Sequence, residues 1–123
     1  MRTFGTGACI VAAALCAGAV RAGDLEDRGR AIAEAHCSRC HVVGDYNPMG
    51  GISSTPSFQL LVNELPDWED RFSTFQARRP HPSQIVFKGV EKPEFLAPGF
   101  KPVELELSDI DAIVAFAATL KRK

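Results

Sequence analysis

Two cysteines separated by two residues and followed at once by a histidine, Cys37-Ser38-Arg39-Cys40-His41, are the densest concentration of chemistry in this 123-residue chain. Over one helical turn this spacing sets both sulfurs along one edge of a bound group and carries the next imidazole beneath its centre. It is the c-type haem attachment pattern, in which each thiol adds across a porphyrin vinyl group and the adjacent histidine ligates the iron. Other chemistries need parts that are missing. A structural zinc site takes four ligands, and beyond the cysteines only His36, His41 and His81 are available, two of them crowded against the cysteines. A thioredoxin-like dithiol wants a βαβ frame, whereas the flanking pattern is helical. A plain disulfide suits an exported chain but leaves His41 without a role. Cys37, Cys40 and His41 are therefore expected to hold one covalent haem c, with His41 as iron ligand.

The start of the chain supports that chemistry. Arg2 precedes a stretch from Ala8 to Val20 built almost wholly of Ala, Val, Ile, Leu, Cys and Gly, which has the make-up of a signal peptide's apolar region and is short for a membrane span. Val20-Arg21-Ala22 fits the small-residue rule before a cleavage point, so residues 1–22 are expected to be a signal peptide and residues 23–123 one domain in the periplasm. Of the 14 basic residues, cleavage removes Arg2 and Arg21, leaving 12 against 15 acids and a net charge of −3. It also removes Cys9 and Cys16, leaving only the motif pair. So mild a charge gives no field to draw the protein onto nucleic acid or anionic lipid. A composition of 46% hydrophobic and 24% charged residues excludes collagen-like, coiled-coil and highly charged disordered classes.

The elements that must position the motif are helical. Leu25, Gly29, Ile32, Ala33 and His36 recur at spacings of three and four, with Asp24 as N-cap. A glycine on that apolar face marks a place where another helix approaches closely. The partner is the last helix, opened by Ser108 as N-cap, with Asp109 and Asp111 in its first turn and a stripe of Ile110, Ile113, Val114, Ala117 and Leu120. Between them, residues 57–64 and 67–79 read as two helices broken by Pro66. Trp68, Phe72 and Phe75 line one face of the second, and Arg78, Arg79 or Trp68 are candidates to meet a haem propionate. Dense prolines and glycines make residues 80–102 read as a long irregular segment covering the side of the haem opposite His41.

Over residues 24–123 the chain resembles a small class I cytochrome c of the bacterial periplasmic type. The matching features are Gly29, eight residues before Cys37; the attachment run itself; and Ile113 with Phe116 in the last helix, where the family sets an aliphatic and an aromatic residue against that glycine. The resemblance implies an all-α cytochrome c fold, with crossing N- and C-terminal helices and one or two shorter helices and long loops around the haem. It also implies that Thr55-Pro56-Ser57-Phe58 is the loop whose proline carbonyl accepts a hydrogen bond from the proximal histidine, which gives Pro56 the task of orienting His41. By local sequence alone Pro56 equally reads as the residue before a Ser57 N-cap.

The family usually completes its iron with a methionine in the later loop, and here the chain departs from it. Its only methionines are Met1 and Met49, the latter close behind His41. Aligned on the family's loop patterns, the methionine position falls on Gln84 or Lys92. The sixth position is thus open between a vacancy, His81, Lys92, Gln84 and Met49. Two functions follow. A six-coordinate haem makes a monohaem electron carrier between periplasmic or membrane-bound redox proteins, monomeric and at most peripheral to the membrane. An open iron makes a protein that binds or senses carbon monoxide, nitric oxide or oxygen. No acid–base pair with a recognisable spacing suggests an enzyme.

Overall fold

A computed structural model describes residues 21–123; the expected signal peptide lies outside the described residues except for Arg21 and Ala22. Among the described residues no helix is long and apolar enough to cross a membrane. The architecture is mostly helical, with a first helix, α1 (Ala22–Ile32), and a last helix, α4 (Ser108–Thr119), packed against each other.

Gly29 sets that packing. It is buried, and a Cβ built on it would lie 1.8 Å from the Ala112 carbonyl oxygen. The missing side chain lets the two backbones touch, and Ala33, Ala112, Ile113, Phe116 and Ala117 are sealed around the crossing. The α4 stripe is therefore turned from the expected one. Ala112 and Phe116 lie at its centre, while Ile110, Val114 and Leu120 are only half-buried, because a glycine-sized approach selects the small Ala112 rather than the larger aliphatic residues.

The helix starts also differ. Asp24 sits in the first turn of α1 rather than at its cap, and Ser108 is the first helical residue of α4 without a capping bond. The work expected of Ser108 is done by Asp109, whose Oδ2 accepts from the Glu106 backbone N–H at 2.8 Å, the backward half of a capping box. Asp109 Oδ1 takes the Arg28 guanidinium at 2.5 Å, tying α4 to α1.

Between these helices stand α2 (Phe58–Glu64) and α3 (Trp68–Ser73). Ser57 caps α2 as expected, accepting from the Leu60 N–H at 3.1 Å. The helix expected over residues 67–79 stops at Ser73. The Thr74 hydroxyl donates back to the Asp70 carbonyl at 2.6 Å, a side-chain bond that competes with helix continuation, and a 3₁₀ turn Phe75–Ala77 follows. Trp68 and Phe72 are buried, with Phe72 edge-on to Phe58 at 4.8 Å between ring centres.

The segment expected to be irregular, residues 80–102, contains a 3₁₀ turn His81–Ser83 and a strand, β1 (Ile85–Phe87), paired in parallel with β2 (Val103–Leu105). Ile85 faces Val103 and Phe87 faces Leu105. The fold is thus mostly helical rather than wholly so. Three-residue strands are too short to show alternation, and parallel partners are joined by a long connection that proline and glycine disguise as loop.

Candidate functional site

α1 does not run unchanged into the motif. From Ala33 to Cys37 the backbone widens into a π-helical turn, in which the Ser38 N–H reaches back to the Ala33 carbonyl at 3.1 Å. Wide turns of this kind recur at functional sites. Here it delivers Cys37 to the wall of a cavity, and a following turn, closed by the His41 N–H on the Cys37 carbonyl at 2.9 Å, brings Cys40 and His41 to the same wall.

The cavity is about 540 Å³, within the range of roughly 300–1,000 Å³ typical of cofactor and small-molecule sites. Ile32, Phe58, Leu61, Phe72, Leu105 and Ile113 give it an apolar floor, and His81 and Gln84 stand on the lining contributed by the later loop. Arg39, Arg71, Arg78 and Arg79 supply basic groups. Cys37 and Cys40 are not joined as a disulfide. Burial, with a smaller contribution from Cys40, pushes the Cys37 thiol up to about 12.

His41 is held from several directions. Its Nδ1 lies 2.7 Å from the Pro56 carbonyl oxygen. A carbonyl can only accept, so Nδ1 carries the proton and Nε2 keeps its lone pair. Pro56 thus accepts a hydrogen bond from His41 and also stands before the Ser57 cap. The Phe58 ring meets the imidazole edge-on, 5.5 Å between centres. Burial lowers the pKa of His41 below its ordinary value, the Pro56 bond opposes that shift, and His81 adds to it. The neutral form is the favoured one.

Some residues of this frame were not singled out in the sequence. Asn47 joins the loop behind the motif: its Oδ1 accepts from the Val43 N–H at 2.8 Å, and its Nδ2 donates to the carbonyls of Ser38 at 3.1 Å and His41 at 2.9 Å. Gly51, at φ 78°, lets that loop return against the motif backbone, where a Cβ would come within 3.1 Å of Cys40, His41 and Val42. The only available signal was the Asn-Pro…Gly-Gly composition of a turn. Arg39 lies over the Phe100 ring at 5.2 Å and pins the later loop to the motif. Arg71 is bonded to Asp67 at 2.9 Å and Arg78 to Asp70 at 2.7 Å, while Arg79 forms no ion pair among the described residues. Trp68 packs in the core, with Lys121 over its ring, and does not line the cavity.

Among the sixth-ligand candidates, His81 and Gln84 line the cavity. Met49 is 96% exposed and not part of its lining, and Lys92 lines a separate depression. Among the described residues no three His, Cys, Asp or Glu side chains cluster as a metal site, so the zinc alternative gains no ligand set.

Compared with protein-family models, curated proteins and solved structures, the chain matches none.

Proposed function

We propose that the protein is a monohaem c-type cytochrome of the periplasm that passes single electrons between redox proteins, with a cytochrome c fold built on the α1–α4 crossing. The observation that carries the reading is the convergence of Cys37, Cys40 and His41 on one cavity, with the His41 proton committed to Pro56 at 2.7 Å. A flat, mostly apolar macrocycle suits the apolar floor, and Arg71, Arg78 and Arg79 suit its two carboxylates. When bound, the haem supplies a one-electron iron couple.

The chain's own residues do the rest. Cys37 and Cys40 would hold the haem through two thioether bonds, each the addition of one S–H across one vinyl group with no net gain or loss of electrons. His41 would hold the iron through Nε2, its tautomer set by the Pro56 carbonyl and its ring braced by Phe58. The apolar floor excludes water from one side, which limits the solvent rearrangement that accompanies a change of charge. The linkage and export tie the protein to a compartment with haem-attachment machinery, and its partners are the periplasmic or membrane-bound proteins that supply and take single electrons. A gas-binding role, the other reading of the sequence, requires an open iron, and no observation specifically favours it.

The test is expression into a periplasm with haem-maturation machinery, followed by intact mass and a pyridine haemochrome spectrum. One haem per chain, resistant to acid–acetone extraction, with reversible one-electron cycling and electron exchange with a small redox protein, is the expected result. A chain that carries no haem, or releases it to acid acetone, overturns the proposal.

A further inference from the structure

We infer that His81 is the second axial ligand of the iron, so that the haem is held between two histidines; the inference rests on the haem reading above. The two imidazoles belong to one cavity, their planes parallel to within 5° and their centres 6.1 Å apart. Two imidazoles bound through one nitrogen each to a metal atom between them, at about 2 Å per bond, have ring centres about 6 Å apart. The centre-to-centre spacing and the parallel planes here match that requirement.

The tautomers agree. His81 Nδ1 lies 2.8 Å from the Arg78 carbonyl oxygen, as His41 Nδ1 lies 2.7 Å from that of Pro56. Each oxygen fixes the proton on Nδ1 and leaves Nε2 as the lone-pair nitrogen, the arrangement found where a histidine ligates a metal and its other nitrogen is anchored. Among the described residues neither Nε2 makes a hydrogen bond. Two histidines prepared in the same way on one cavity are more than packing requires.

The segment that carries His81 is braced. The Phe75 ring meets the imidazole edge-on at 5.5 Å. The Ser83 hydroxyl donates to the Pro80 carbonyl at 2.8 Å, and the Ala97 N–H donates to the Ser83 carbonyl at 2.8 Å. Gln84 lines the same cavity but offers a weakly coordinating amide in place of an imidazole, the better ligand for iron.

The experiment compares the haem-loaded parent with His81→Ala and His81→Met by absorption and electron paramagnetic resonance, oxidised and reduced, then with carbon monoxide as the probe. The parent is expected to be low-spin in both states and unmoved by carbon monoxide. His81→Ala should turn high-spin and bind carbon monoxide at once, and added imidazole should restore the low-spin spectrum. His81→Met, which keeps a ligating side chain, should stay low-spin with a raised midpoint potential. A pyridine haemochrome assay on each sample separates the two readings. A parent without covalent haem overturns both. Covalent haem with a parent that binds carbon monoxide at once, or with a His81→Ala spectrum equal to the parent's, overturns the His81 assignment alone.

Discussion

Replacing Gly29 by alanine tests the α1–α4 crossing at its tightest point. The added Cβ would sit 1.8 Å from the Ala112 carbonyl oxygen, 2.4 Å from its carbon and 2.9 Å from the Phe116 Cβ. Cβ contacts below 3.0 Å are essentially never seen, so the helices must separate by at least about 1.2 Å. The first atoms met are backbone, which cannot swing aside as a long side chain can. Separation loosens the contacts that seal Ala33, Ile113, Phe116 and Ala117, and forced overpacking of this kind costs about 1–3 kcal/mol or more. Alanine's better helix propensity returns up to about 1 kcal/mol. With backbone as the obstacle we expect a net loss of about 2–3 kcal/mol, which for a domain of this size lowers the melting temperature by roughly 10–20 °C. The assay is thermal unfolding of the purified protein followed by far-ultraviolet circular dichroism. Gly23→Ala is the control, because a Cβ there meets nothing within 4 Å and should be nearly neutral. A Gly29→Ala protein that melts with or above its parent would refute the reasoning.

Three further substitutions probe the surroundings of the cavity. If the proposed haem reading holds, His41→Ala should leave haem attached through Cys37 and Cys40 but change its ligation, read as normal haemochrome content with an altered native spectrum. Asn47→Ala removes three hydrogen bonds from the loop behind the motif and should cost about 2–4 kcal/mol, seen as a lowered guanidinium midpoint. Asp109→Ala takes away the capping bond to Glu106 and the shortest ion pair of Arg28, which is itself about half exposed and keeps the Glu106 carboxylate at 3.5 Å and the Ser108 hydroxyl at 3.3 Å. It should cost about 1–2 kcal/mol, measured by the same unfolding curve.

What could be read in the sequence was whatever residue type and short spacing dictate. Cys37, Cys40 and His41 fall within five consecutive residues, the Ser57 cap of α2 is local, and Gly29 announces a close approach by its cost. Asp70 and Thr74 act differently: the hydroxyl's return bond ends α3 early, although acids at its start and arginines at residues 78 and 79 suggested a longer helix. β1 and β2 are three residues each and pair across a long connection, so neither alternation nor proximity reveals them. Ala112, the residue against which Gly29 is fitted, looks like any alanine until the crossing is seen. The facing of His81 and His41 is a tertiary fact, since 39 positions separate them and only the fold makes them neighbours.

The widened turn at Ala33–Cys37 acts as an angular adjuster. Along an ordinary α-helix, each side chain's direction is locked to that of every other at about 100° per residue, so the face that meets a neighbour dictates the face shown four residues on. An extra residue in one turn breaks that lock. The α1 surface fitted to α4 and the edge that bears Cys37 can then each be aimed independently. Substitutions that retune the helix crossing need not swing the thiols away from the cavity, and a single-residue deletion between them would do so at once.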